Sequence, residues 1–182
     1  MLIMKKISFL IGLIYFLVLN TNAQKNKDFY RYPTEENIIY DICFTLNGEA
    51  IGIADNKSIK VYSTESKELI KEFRNEHNRR ILSIDISNDS TKLVSGGKDS
   101  TVVIWDFIGG KLLKSLKCNG IITSVCISPN SLYLAYGGSD NKVSVYDLAN
   151  NKIVNTFSEH SDDITSVAFS PDGNYIATSS GD

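Results

Sequence analysis

The sequence predicts an all-β chain assembled from copies of one four-stranded antiparallel unit. Three observations predict it. A turn cluster recurs as Thr45-Leu46-Asn47-Gly48, Ser87-Asn88-Asp89-Ser90, Ser128-Pro129-Asn130-Ser131 and Ser170-Pro171-Asp172-Gly173, at steps of 42, 41 and 42 residues. An aromatic closes an apolar run at Tyr62, Trp105 and Tyr146, at steps of 43 and 41. Between these landmarks lie short runs rich in Val, Ile, Thr and aromatics, which is strand composition. The breaks are a few turn residues long, enough for hairpins and too short for parallel crossovers.

The first unit is predicted to use Ile38–Phe44, Ala50–Ala54, Ser58–Tyr62 and Glu68–Phe73. Its Ala54-Asp55-Asn56-Lys57 turn lacks a double glycine, and Ser63 stands where the later units carry Asp. The second is the most regular, with runs Ile81–Ile86, Lys92–Val94 and Thr101–Trp105 and an outer strand near Leu112–Leu116. The third uses Ile122–Ile127, Leu132–Tyr136, Lys142–Tyr146 and Ile153–Phe157. The fourth has Ile164–Phe169 and Tyr175–Thr178, and the sequence stops at Gly181-Asp182, where a third strand would begin. The pairs Gly96-Gly97 and Gly137-Gly138 are read as turn glycines closing second strands. They do not open a helix, so they are not a phosphate loop.

A period of about 40–45 residues with four strands per unit is the signature of a propeller blade. Val103-Ile104-Trp105-Asp106, Val145-Tyr146-Asp147 and the run Ile164-Thr165-Ser166-Val167-Ala168-Phe169-Ser170-Pro171-Asp172-Gly173 carry a family resemblance. On these motifs the chain resembles the WD-repeat β-propeller family over about residues 38–182. The resemblance implies blades at about 38–73, 77–116 and 120–157, with an incomplete one at 160–182. About three and a half blades cannot close a ring of the usual four to eight. The sequence is therefore expected to be part of a longer protein.

Ahead of the repeats, Lys5 and Lys6 precede the apolar run Ile7–Leu19, followed by Thr21 and Ala23. That order predicts a secretory signal peptide over residues 1–23, cut after Ala23. The run is too short to span a bilayer core of about 30 Å. No membrane span is expected after cleavage, and the expected location is exported, periplasmic or secreted. Residues 24–37 hold Phe29, Tyr30 and Tyr32 and read as a linker or as an outer strand closing the ring, the strand being favoured.

Removing Lys5 and Lys6 would take the formal net charge from −2 to −4. A mildly acidic domain lacks the basic footprint nucleic acid requires, so no nucleic-acid partner is expected. The three cysteines cannot all pair with one another. Cys43 and Cys126 hold the same repeat position two blades apart, beyond the roughly 7 Å between Cα atoms that a disulfide tolerates. A bridge from Cys118 to Cys126 stays open.

The resemblance also implies a hydrogen-bonded network of His, Ser or Thr, Asp and Trp in each blade. The second blade carries all four as His77, Ser95, Asp99 and Trp105. The third has Asp140 but places Tyr136 and Tyr146 where the Ser and Trp would be, and the fourth has His160, Thr178 and Asp182. A Ser-His-Asp set could also be a hydrolase triad. No G-x-S-x-G elbow is present and the residues recur at repeat positions, so a structural role is expected and no catalytic residue is assigned. His77 and His160 lie two repeats apart without a second ligand at metal-binding spacing, so no metal site or cofactor is expected.

What remains is binding. In the family, loops before first strands and after second strands line one rim. Here those loops hold Arg79, Arg80, Lys98, Asn119, Asp162 and Asp163 as candidate contacts with other proteins or peptides. The expected function is an exported, non-enzymatic protein-interaction scaffold. The alternative is the amino-terminal propeller module of a larger exported enzyme with its catalytic domain beyond residue 182.

Overall fold

The structure, a computed structural model, describes residues 32, 33 and 38–182. Every regular element among them is a strand. In chain order these are β1 (Ile39–Phe44), β2 (Ala50–Asp55), β3 (Ser58–Ser63), β4 (Leu69–Phe73), β5 (Ile81–Ile86), β6 (Lys92–Gly97) and β7 (Thr101–Asp106). They continue as β8 (Lys111–Lys117), β9 (Ile122–Ile127), β10 (Tyr133–Gly138), β11 (Val143–Asp147), β12 (Lys152–Phe157), β13 (Ile164–Phe169) and β14 (Ile176–Ser180). The strands pair in sequence order into three four-stranded sheets and a final hairpin, β13–β14, all antiparallel. The expectations for residues 1–23 and for a ring-closing strand fall almost wholly outside the described residues.

Successive first strands β1, β5, β9 and β13 run beside one another, and β4, β8 and β12 lie outermost. The sheets thus stack face to face as propeller blades, in an unclosed arc of about three and a half. The cores sit between blades. Ile59, Val61 and Phe73 of the first meet Ile84, Leu93, Val103 and Trp105 of the second. Val94, Val102 and Ile104 then face the other way, onto Ile122, Val125 and Leu134 of the third. Because strand side chains alternate, a middle strand with a neighbour on both faces is apolar throughout. This is why Thr101–Trp105 reads as a continuous run. Each such side chain, fully buried, contributes roughly 1.5–3 kcal/mol.

Stacking also grades the outer strand. Phe73 is 1% exposed under the second blade, whereas Phe157, at the equivalent position of the third, is 41% exposed. The two-stranded fourth sheet does not reach it.

The glycine pairs correct the sequence reading. Gly96 and Gly97 lie within β6, and Gly137 and Gly138 within β10, not in turns. A Cβ on Gly96 would come within 2.3 Å of Ile122 Cγ2, and one on Gly138 within 1.7 Å of the Ile121 carbonyl oxygen. The glycines are there because the next blade and the preceding loop press against the strand backbone. The second strands consequently run farther than predicted.

The first turn of each blade is built alike. Thr45, Ser87 and Ser128 donate their hydroxyls to Asn47, Asp89 and Asn130 at 2.7, 2.6 and 2.6 Å. The fourth turn residue has positive φ every time: Gly48 at 72°, Ser90 at 54°, Ser131 at 61° and Gly173 at 75°. That left-handed conformation favours glycine, and the local side-chain bonds hold serine there in the two middle blades.

Candidate functional site: a buried network under a loop rim

In the second blade β6 supplies Ser95, β7 supplies Trp105, the loop before β5 supplies His77 and the β6–β7 turn supplies Asp99. The structure brings all four together. His77 Nδ1 lies 3.0 Å from Asp99 Oδ2, and its Nε2 lies 2.8 Å from Ser95 Oγ. Trp105 Nε1–H donates to Ser95 Oγ at 3.0 Å. Asp99 also accepts the Asn78 N–H at 2.9 Å. A carboxylate only accepts, so Nδ1 carries the imidazole proton, and Nε2 accepts the Ser95 hydroxyl proton.

Burial pushes the His77 pKa below its ordinary value, with the Asp99 carboxylate partly opposing the shift. The folded state thus prefers neutral His77. Its contribution to stability is complete above about pH 6.5, the ordinary histidine value, and is lost as pH falls below that through the lower folded value. Thermal melts should therefore show destabilisation on acidification, and His77→Gln should flatten that slope.

The fourth blade repeats the geometry in the open. His160 Nδ1 is 2.9 Å from Asp182 Oδ1 and its Nε2 is 2.8 Å from Thr178 Oγ1. Asp182 is held well below the usual carboxylate range, chiefly by the Ser161 N–H, then by hydroxyl and imidazole donors. The third blade departs. Tyr136 takes the place of Ser95, and Cys118, 41 residues after His77, takes the place of the histidine. Burial first, and then the Asp140 charge, pushes the Cys118 thiol up to about 11. Burial and the neighbouring Cys118 push Tyr136 up to about 12. In the first blade Ile53 replaces the serine, and a buried Asp55–Lys60 ion pair at 2.8 Å sits beside it. All three cysteines are free thiols.

A second set of polar residues was missed from the sequence. Asp41 Oδ2 of β1 accepts Ser83 Oγ–H and Ile84 N–H of β5, both at 3.0 Å. Ser83 Oγ and Asp85 Oδ2 accept Val125 N–H and Ile127 N–H of β9 at 3.2 and 2.7 Å. Ser124 Oγ accepts Val167 N–H of β13 at 3.0 Å. Asp41, Ser83 and Ser124 share one repeat position, so a polar residue recurring inside apolar first strands was the available signal.

The rim candidates lie on adjoining loops. Lys98 N–H donates to the Arg80 carbonyl at 2.8 Å, and Ile81 N–H to the Asn56 carbonyl at 2.7 Å, tying the second blade's loops to the first. Arg79, Lys98, Asn119, Asp162 and Asp163 are exposed. Arg80 is half-buried, with its guanidinium 5.8 Å from the Tyr40 ring centroid.

Stacked four-stranded blades, the second with the complete His-Ser-Asp-Trp network, define a WD-type propeller array. The family model for the WD domain, G-beta repeat, matches residues 67–106, 110–147 and 151–182, and the chain belongs to that family. It is 32% identical over 127 residues to U3 small nucleolar RNA-associated protein 21 of Saccharomyces cerevisiae, covering 70% of this chain and 13% of that protein. It is 33% identical over 67 residues to small ribosomal subunit protein RACK1y of Oryza sativa subsp. japonica, covering 37% of this chain and 20% of that protein. The chain thus spans a fifth or less of the relatives it matches. Two solved structures, of U3-55K and of the RRP9 WD40 repeats, superpose with TM-scores of 0.68 at 23% identity. They cover 71% of this chain and 42% and 41% of theirs, and they show the fold.

These relatives correct the expected location. They are named for a small nucleolar RNA and a small ribosomal subunit, which are intracellular settings, so export to the periplasm or medium does not stand. The exclusion of nucleic acid, drawn from a mildly acidic charge, finds no support in relatives so named. Neither does the reading as the front module of an exported enzyme.

Proposed function

We propose that the chain is a non-catalytic interaction scaffold whose rim loops dock other proteins or peptides. One observation carries this reading: polar chemistry is sealed inside the blades while loop charge is displayed outside. Ser95 is fully buried, its Oγ held between His77 and Trp105. No substrate carbonyl can reach a hydroxyl so enclosed, which makes His77, Ser95, Asp99 and Trp105 a structural set. Arg79, Arg80, Lys98, Asn119, Asp162 and Asp163 stand on rigidly held loops, the usual physical basis of a recognition surface. The relatives' names favour a place in an assembly that also holds RNA.

Arg79→Glu combined with Lys98→Glu should leave the melting curve unchanged and strip specific protein partners from the immobilised chain in pull-downs. An unchanged partner set would count against the rim. Hydrolytic turnover by the wild type that is lost in a folded Ser95→Ala variant would overturn the non-catalytic assignment.

A further inference from the structure

Two Asn-Gly pairs occur in the sequence, Asn47-Gly48 and Asn119-Gly120. Both asparagines are exposed, yet their surroundings differ. In the first pair the carboxamide is pinned. Asn47 Oδ1 accepts Thr45 Oγ–H at 2.7 Å and Glu49 N–H at 3.1 Å, and Nδ2 donates to Glu49 Oε2 at 2.7 Å. The following amide is occupied too, since Gly48 N–H donates to the Thr45 carbonyl at 2.8 Å. Asn119 lies in the bend between β8 and β9. Among the described residues neither its carboxamide nor the Gly120 N–H has a hydrogen-bond partner.

We propose that Asn119 is a site of spontaneous deamidation on the rim, and that Asn47 is protected by its turn. Hydroxide removes the proton from the Gly120 amide nitrogen. That nitrogen attacks Asn119 Cγ, a C–N bond forms, and the side-chain nitrogen leaves as ammonia after taking up a proton. The product is a five-membered succinimide. Water then opens it at either carbonyl, giving aspartate or isoaspartate at position 119. No enzyme and no oxidant is required.

Packing fixes this susceptibility in the blade. A Cβ on Gly120 would come within 2.7 Å of both Asp140 N and Ser139 Oγ, so the loop needs glycine against the 139–140 turn. Glycine is also the residue that least hinders attack by its own nitrogen. The reaction adds one negative charge to the rim beside Asp140, and the isoaspartyl form lengthens the backbone where it packs against the 139–140 turn.

The test is peptide mapping by mass spectrometry after incubation of the whole folded chain in mildly alkaline buffer, with isoaspartyl methyltransferase labelling as a second readout. The Asn119 peptide should acquire the mass gain of –NH2 replaced by –OH about an order of magnitude faster than the Asn47 peptide. In denaturant the two should converge, and Asn119→Gln should abolish the rim signal. Equal rates in the folded chain, or a difference that persists in denaturant, would overturn the proposal. So would an Asn119 peptide unchanged in the folded chain while both convert in denaturant.

Discussion

Trp105→Ala is expected to lower the unfolding free energy by about 3–5 kcal/mol. The side chain is 3% exposed and fills the interface between the first two blades. Its ring meets Phe73 edge-on, centroids 5.4 Å apart, and Phe107 stacks on Phe73 at 6.2 Å. Truncation removes that apolar area, opens a cavity between sheets that cannot collapse onto each other, and leaves the Ser95 hydroxyl with His77 alone as its partner in the network. Trp105→Phe separates the effects. It keeps most of the bulk and loses the indole N–H, so it should cost only about 1 kcal/mol. Chemical denaturation followed by circular dichroism is the measurement, since Trp105 is the chain's single tryptophan and its fluorescence vanishes with it. A loss below about 1 kcal/mol in Trp105→Ala would contradict the packing argument.

His77→Ala should cost about 1.5–3 kcal/mol, because it deletes a hydrogen bond to a buried carboxylate. The side chains of His77 and Asp99 are 0% and 2% exposed. Without the imidazole the Asp99 carboxylate stays buried with the Asn78 N–H as its one remaining partner in this network. The remedy is diagnostic: His77→Ala with Asp99→Ala should lose less than the sum of the two single variants, because removing the charge removes the penalty. His160→Ala is the control. Its pair with Asp182 is about one-third exposed, so water and salt screen it and the loss should be far smaller.

What was legible in the sequence was whatever is local and repeated. Turn chemistry at Thr45, Ser87, Ser128 and Ser170 involves residues two to five apart, so spacing alone exposed it. The four-stranded unit followed from those turns and from apolar runs such as Thr101–Trp105. What stayed hidden depends on the neighbouring blade. Gly96 reads as a turn residue until Ile122 is seen pressed against it. Asp41 and Ser83 carry no local signal of a role; it shows only where they accept N–H groups from the next first strand. Cys118 was weighed only for a bridge to Cys126, although its step of 41 residues from His77 gives it the histidine's position in the third blade. The misjudged location came from residues 1–23, whose charge and apolar pattern is local and says nothing about the blades that follow.

The bridges from Asp41, Ser83, Asp85 and Ser124 fasten each first strand to the next where the strands converge. The axle is therefore one of the places where neighbouring blades are held together, beside the packed cores between them. Insertions into the rim loops, even long ones, should leave the pitch of the array intact, so sequence there is free to diversify while the wheel keeps its geometry. A substitution at the axle acts differently: a small chemical change at Ser83 removes contacts to both neighbouring first strands at once.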